Sequence, residues 1–325
     1  MAFQILALSG GGYRGLFTVS VLRRLEEQAQ RPIGECFDLI AGTSIGGLVA
    51  IGLALGKPAE MIEKVFLEKG ETIFPKGEPK TGFIPKWREC AAMARGPKYD
   101  GSELRKAIES VVGVDALIGD ARTRLLIPAI NMTKGSVQMF KTAHCPQFVV
   151  DKKRKAADVA MATSAAPFYF PLAQVGDAFY ADGGLAANAP DLCAIHEATK
   201  FLGRLQEDIH VLSIGTTTTK FSLPTSLGRN LGAAAWVKNM RLLSTFFAAQ
   251  QQLVNFMVAH QLGDRYLRID ETPSLEQCVD LGLDLATPER RQTLLGMAEG
   301  AYQNVAANPH LREFLDHQPE KPIFY

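Results

Sequence analysis

The hydrophobic positions of this chain fall first into short runs, each broken by at most one polar residue, that lead into glycine-rich turns. Phe3–Leu8 is one such run, followed at once by Ser9, Gly10, Gly11, Gly12, Tyr13, Arg14 and Gly15. Residues 37–41 form a second, closed by Gly42-Thr43-Ser44-Ile45-Gly46. Apolar runs this short and without alternation predict strands buried on both faces of a sheet. Between them Leu16, Val19, Leu22 and Leu25 recur at helical spacing, which predicts a helix to about Gln30. The small, apolar residues after Ser44 close at Gly56-Lys57-Pro58 and predict a second, buried helix; a third spans 59–69. Strand and helix alternate, so the pattern predicts an α/β domain around a mostly parallel sheet.

Residues 70–99 break that rhythm. They hold Pro75, Pro79, Pro85 and Pro97, six Lys/Arg against three Glu, and Trp87. A stretch this long without a pattern of its own predicts a lid or binding loop. Beyond it, a helix is expected over 103–112 with Ser102 as its cap, strands over 124–131 and 136–141, and a helix over 156–163 reached through Lys152, Lys153, Arg154 and Lys155. Residues 164–171 form a loop bracketed by prolines. A short strand leads into Asp182-Gly183-Gly184, Pro190 is placed to begin a helix, and 209–214 read as a late strand. The remainder is mainly helical, over 232–262 and 288–307, with a possible strand at 265–269. No linker divides the chain. The expected organisation is a catalytic region over 1–215 with a lid-like insertion at 70–99, and a helical elaboration over 216–325 belonging to the same globule.

Composition narrows the classes. Of 325 residues, 47% are hydrophobic, enough for a sizeable core. A net charge of +1 gives no electrostatic case for DNA or RNA as a partner. Five scattered cysteines with no paired spacing argue for a reducing compartment and against structural zinc. The first residues enter a strand directly, without a basic segment and apolar stretch, so a cytoplasmic location is expected. Two uncharged runs reach membrane-span length, but 39–56 carries five glycines and 242–263 carries eight polar residues. The second run predicts a long helix packed on protein, with a self-association face.

The chemistry is concentrated at the glycine-rich turns. Gly42-Thr43-Ser44-Ile45-Gly46 between a strand and a helix is a nucleophile elbow: glycines admit a turn too tight for side chains, and the serine hydroxyl is presented at a helix N-terminus. The turn at 10–15 also matches a dinucleotide fingerprint, with Asp38 as the ribose carboxylate. Asp38, however, stands at the start of the second strand, where such an acid should stand at its end. The better reading is a row of backbone N–H groups aimed at an oxyanion, with Arg14 supporting the loop. A serine nucleophile needs a base. None of the six histidines sits in a glycine-flanked turn, whereas Asp182 follows a strand and precedes two glycines. An ordinary α/β-hydrolase with a Ser-Asp-His triad would place several strands before the elbow; here only one βα unit precedes Ser44.

Together, the turn at 10–15, the elbow at 42–46, Ala162-Thr163-Ser164-Ala165-Ala166-Pro167-Phe168-Tyr169-Phe170-Pro171 and Asp182-Gly183-Gly184 resemble the patatin-like phospholipases over residues 3–215. The resemblance implies a three-layer α/β/α fold and a Ser–Asp dyad without histidine, Ser44 as nucleophile and Asp182 as proton acceptor. It also implies an oxyanion hole at Gly10, Gly11 and Gly12, and neither metal nor cofactor. The third glycine-rich motif often ends in alanine in that family; Gly184 is a common variation. The turn at 10–15 with its helix, the elbow with its helix and the helical C-terminal region resemble more closely the cyclic-dinucleotide-activated phospholipases of bacterial CBASS anti-phage signalling. That implies a membrane-phospholipid substrate, action at the inner face of the cell membrane, a homo-oligomer, and a cyclic dinucleotide activator whose site is not assigned. Lys76, Lys80, Lys86, Arg88, Arg95 and Lys98 are candidates to meet its phosphodiesters. Trp87, Phe168, Tyr169 and Phe170 are candidates for acyl-chain contact, and residues 152–155 for anionic lipid. The competing readings are an unregulated acyl hydrolase and a non-catalytic binding module on the same fold.

Overall fold

In strand β1 (Phe3–Leu8) and strand β2 (Leu39–Gly42) every residue is buried, as apolar runs without alternation predict. The structure, a computed structural model, describes residues 2–75, 96–217, 221–237, 240–278 and 281–325. The other strands are β3 (Arg124–Asn131), β4 (Ser136–Lys141), β5 (Ala173–Val175), β6 (Ala178–Asp182), β7 (Ile209–Ile214) and β8 (Tyr266–Ile269). They form one sheet in the order β5-β6-β3-β2-β1-β7-β8, with β4 paired to β3. The pairings β3–β2, β2–β1, β1–β7 and β7–β8 are parallel; β4, β5 and β6 join antiparallel at one end.

Helices cover both faces. The longer ones among the described residues are α1 (Gly15–Ala29), α2 (Ile45–Ala54), α3 (Ala59–Ile73), α4 (Ser102–Val112), α5 (Ala156–Ser164), α6 (Asp191–Lys200), α7 (Arg241–Leu262), α8 (Pro288–Val305) and α9 (Pro309–Asp316). Successive strand residues point to opposite faces, so β1 sends Leu6 and Leu8 into one core and Phe3, Ile5 and Ala7 into the other. The first core is closed by α1 to α5 together with α8 and α9; the second by Ala194, Ile195 and Ala198 of α6 and Val258 and Leu262 of α7. This is the three-layer α/β/α arrangement. The region beyond residue 215 contributes a strand to the sheet and helices to both faces. Arg24 of α1 is ion-paired to Glu299 of α8, and Phe37 packs on Phe314 of α9 at 6.3 Å between ring centres.

Three local expectations are corrected. Gly101, at φ 84°, caps α4; Ser102 is its first helical residue, and its hydroxyl donates to Asp100. Pro190 is the cap of α6 and Asp191 its first residue. Helix α3 runs on to Ile73, into the stretch expected to be a loop, because Phe66 and Gly70 pack there against the core and Tyr13. Among the described residues no helix is long and apolar enough to cross a membrane.

Candidate active site

The strand-to-helix turn from β2 to α2 holds Ser44 at φ 54° and ψ −126°, a strained backbone for any residue but glycine. The turn closes because Gly46 has no side chain: a Cβ there would lie 2.5 Å from the Leu8 carbonyl oxygen and 2.6 Å from that of Ser9. Its result is a serine at the N-terminal end of a ten-residue buried helix, where the unpaired N–H groups favour negative charge.

Asp182 ends β6, beside the elbow. The Ser44 hydroxyl donates to Asp182 Oδ2 at 2.7 Å, and the Gly184 N–H donates to Oδ1 at 2.7 Å. The carboxylate is 2% exposed. Burial pushes its pKa up to about 6, against the opposing pull of the Ser44 and Gly184 hydrogen bonds. Thr163, near the end of α5, ties the two motifs together. Its hydroxyl accepts from Ser44 N at 3.0 Å and donates to the Pro128 carbonyl at 2.6 Å, while its carbonyl accepts from Gly183 N at 3.1 Å.

The glycine turn lies over this pair. Gly10 is not free to meet an anion, contrary to expectation: its N–H donates to the Asn188 carbonyl at 2.9 Å. The next two peptides are oriented by their carbonyls. Thr216 Oγ1 donates to Gly10 O at 3.0 Å, and Gly11 O accepts from the Arg14 backbone at 3.3 Å and from Arg14 Nε at 3.4 Å. A trans peptide sets its N–H opposite its carbonyl, so pinning these two oxygens turns the Gly11 and Gly12 N–H groups the other way. Gly11, Gly12, Ser44 and Asp182 line one cleft. Two N–H donors at a helix N-terminus beside a serine–carboxylate pair can hold an oxyanion while the hydroxyl gives up its proton.

Arg14 thus holds the Gly11 carbonyl. Its guanidinium also donates to Thr217 O at 3.2 Å, bridging the turn to the segment after β7. Burial pulls its pKa below the ordinary arginine value, while the charge of Asp270 pushes it back. Arg14→Met, which keeps the apolar stem, is expected to lower kcat about tenfold with KM little changed, a modest share of what a lost oxyanion donor costs. Steady-state kinetics on a soluble ester measures it, and an unchanged kcat would leave Arg14 without a supporting role.

The cleft wall is apolar and aromatic, with Phe74, Leu104, Tyr169, Phe170, Phe247 and Leu283 around a cavity of about 50 Å³. That is room for a few waters, not an acyl chain. Phe74, Tyr99 and Phe170 pack on one another edge-on or tilted, with ring centres 5.6 to 6.1 Å apart. Ser164 also lines the cleft, and its buried hydroxyl has no partner among the described residues. Past Tyr169, Asn188, Phe247 and Leu283 a wider cleft of about 310 Å³ continues.

No histidine lines the cleft or bonds to Ser44 or Asp182 among the described residues. His144 is buried against Glu197 at 2.9 Å and His317 against Asp38 at 2.7 Å, while His260 bonds its own helix. Asp38 is thus held by a histidine and by Gln4 N, at the opposite end of β1 from the glycine turn. Phe168 stands 43% exposed while Tyr169 and Phe170 line the cleft. In the basic run, Lys152 donates to the Tyr325 carbonyl and Lys155 to Asp115. Lys98 is ion-paired to Asp284. Trp87, Lys76, Lys80, Lys86, Arg88 and Arg95 lie outside the described residues. Among those described, no cluster of His, Cys, Asp or Glu is placed to hold a metal.

Several positioning residues carry no motif of their own. Gln250 and Gln251 of α7 reach back to the segment after Asp182: Gln250 donates to Leu185 O at 2.9 Å, and Gln251 Oε1 accepts from Asn188 at 3.3 Å. In the sequence they are only polar interruptions of an apolar helix, and Thr216 is one of a threonine run.

The family model described as patatin-like phospholipase matches residues 6–192. A protein of Pseudomonas aeruginosa named cGAMP-activated phospholipase is 38% identical over 99% of this chain and 95% of its own length. One of the same name from Vibrio cholerae is 40% identical over 87% of this chain and 86% of its own length. Among solved structures, VipD from Legionella pneumophila superposes with a TM-score of 0.48 at 14% identity, covering 96% of this chain and 67% of that one. By the family match and the nearly full-length identity, the chain belongs to the patatin-like phospholipases.

Proposed function

We propose that the protein hydrolyses the acyl esters of membrane phospholipids through a Ser44–Asp182 dyad. The observation that carries this is the 2.7 Å hydrogen bond from the serine hydroxyl to a buried carboxylate, in the cleft that Gly11 and Gly12 also line. Ser44 Oγ attacks the ester carbonyl carbon as Asp182 Oδ2 takes its proton. The carbonyl oxygen gathers negative charge against the Gly11 and Gly12 N–H groups and the N-terminal end of α2. Collapse releases the lysolipid, which takes the proton from Asp182 and leaves an acyl-serine. Water then attacks the acyl carbon with Asp182 again as base, and collapse releases the fatty acid as the proton returns from Asp182 to Ser44 Oγ. The aromatic wall suits an acyl chain, and the unpartnered Ser164 hydroxyl offers the bound ester a donor.

Activity is switched on by a cyclic dinucleotide, in the setting of bacterial anti-phage defence and at the inner face of the cell membrane. Two relatives of 38–40% identity bear the name cGAMP-activated phospholipase, and the narrow cavity at the dyad suits a resting state that must open. Raising the active fraction from about 1% to 99% takes roughly 5.5 kcal/mol of preferential binding to the open state.

The test is fatty-acid release from phosphatidylethanolamine/phosphatidylglycerol vesicles by the purified chain, with and without cGAMP. Release that rises about 100-fold with cGAMP, and is absent from Ser44→Ala, is the expected result. Equal release without nucleotide would overturn the regulation, and release by Ser44→Ala would overturn the dyad.

A further inference from the structure

In the wider cleft a carboxylate already carries an ammonium, supplied by the chain itself. That cleft, of about 310 Å³, shares Tyr169, Asn188, Phe247 and Leu283 with the catalytic one, so the two are continuous. Among the described residues its charged lining is Arg14 and Asp284. Arg14 already donates to the Gly11 and Thr217 carbonyls. Asp284 Oδ2 is paired with Lys98 Nζ and accepts from the Tyr99 hydroxyl at 2.8 Å. Both donors reach the same oxygen; Oδ1 accepts no hydrogen bond among the described residues. The Lys98 ammonium also stands 5.3 Å from the centre of the Tyr99 ring. A carboxylate beside an aromatic face is a receptor for an organic ammonium.

The two partners are unequally committed. The Asp284 side chain is 10% exposed and the Lys98 side chain 48%. Lys98 can return to water at little cost, because an ion pair so exposed on one side contributes little. A carboxylate buried as Asp284 is, left without a cation, is strongly destabilised. The backbone around the pair is fixed: Lys98 N donates to Phe168 O at 2.9 Å, Tyr99 N to Tyr169 O at 2.8 Å and Tyr13 N to Leu283 O at 2.8 Å. Only the lysine side chain has to move for another cation to take its place. Burial first, and then the charge of Asp284, push the pKa of both Tyr99 and Tyr169 above the ordinary phenol value. Tyr169 lines both clefts, so the field of Asp284 reaches the passage from the dyad.

We propose that Asp284 selects the headgroup of the substrate: the primary ammonium of an ethanolamine phospholipid displaces Lys98 and docks on the Asp284 carboxylate beside the Tyr99 ring. This selection rests on the phospholipid reading above and names its headgroup. A primary ammonium has three N–H donors and can serve Oδ1 and Oδ2 together. A quaternary choline has none, and a glycerol headgroup offers no cation.

The test compares kcat/KM on phosphatidylethanolamine and phosphatidylglycerol in the same detergent micelles, with cGAMP present. The wild type is expected to favour the ethanolamine lipid about tenfold, the effect of one charge-assisted hydrogen bond. Asp284→Asn, which keeps an acceptor for Tyr99, is expected to bring that ratio to about one. A merely structural role would slow both lipids alike and leave the ratio standing. Lys98→Met removes the competing ammonium and is expected to lower KM for the ethanolamine lipid about threefold relative to phosphatidylglycerol. Calorimetric titration of Ser44→Ala with glycerophosphoethanolamine, glycerophosphoglycerol and ethanolamine needs no turnover. Glycerophosphoethanolamine is expected to bind most tightly and to lose that advantage when Asp284→Asn is added. A wild type without headgroup preference overturns the proposal, as does a preference that survives Asp284→Asn. Ethanolamine binding as tightly as its glycerophospho ester overturns it in favour of a site for free amines. Should Asp284→Asn fail to fold, an unchanged KM ratio in Lys98→Met overturns it instead. If neither lipid is hydrolysed, the phospholipase reading falls and the calorimetry alone decides the ammonium site.

Discussion

Ser44→Ala and Asp182→Ala are each expected to lower phospholipid or short-chain ester hydrolysis by about 10⁴-fold or more while the chain stays folded. The alanine at 44 removes the attacking oxygen. The alanine at 182 removes both the proton acceptor and the acceptor for Gly184 N. Asp182 must be ionised to accept the proton, and burial raises its pKa to about 6. The rate should therefore fall tenfold for each pH unit below about 6 and level off above it.

The same shift has a consequence for stability, of opposite sign to function. A buried carboxyl whose pKa rises from 3.8 to about 6 binds its proton more tightly folded than unfolded. Its contribution to stability is fully present below about 3.8 and is lost as pH rises through about 6. Asp182→Asn should therefore abolish hydrolysis and yet unfold at higher urea than the wild type at pH 7 to 8, by up to ~3 kcal/mol. The gain should shrink as pH is lowered toward 4. Urea titrations of both proteins at pH 4.5 and 7.5 measure it. An asparagine variant no more stable than wild type at neutral pH would mean that the carboxylate is not strained by burial, and full activity in that variant would remove Asp182 as the base.

Gly12→Ala is expected to cost 10²- to 10³-fold in kcat, the loss typical of an oxyanion donor. Two constraints meet at that residue. Its backbone has φ 58°, and a Cβ would stand 2.2 Å from the Leu283 carbonyl oxygen. That oxygen accepts from Tyr13 N at 2.8 Å, so it cannot retreat without giving up its own bond. The turn must shift instead, carrying the Gly11 and Gly12 N–H groups off line. Labelling by a fluorophosphonate, whose phosphoryl oxygen occupies the oxyanion position when Ser44 is modified, should slow in parallel with kcat. An unchanged labelling rate would place the oxyanion elsewhere. The backbone strain should also destabilise the fold, by about 1–3 kcal/mol.

Much of this site was legible because its chemistry forces local sequence. A serine held on a tight strand-to-helix turn needs glycine at 42 and 46, close backbone packing needs glycine at 11 and 12, and a carboxylate at a strand end needs the small residues that follow it. Buried parallel strands need mainly apolar runs without alternation, and those at 3–8, 39–42 and 209–214 are where the sheet has them. Each constraint acts within a few residues of itself.

What the chain alone did not show comes from contacts between positions far apart in it. That Gly10 is spent on Asn188, that Thr163 joins the elbow to Asp182, and that Thr216 and Arg14 orient the glycine peptides are pairings across 3 to 206 residues, most of them over 100. Any threonine or asparagine can donate or accept, so residue type does not announce such a partner. The burial that moves Asp182 toward neutrality and the division of α7 into a face on the active site and an exposed face exist only once the layers are packed. Local sequence determined which groups could react; the tertiary structure decided which of them are free to, because desolvation and hydrogen-bond occupancy are properties of neighbours and not of a residue.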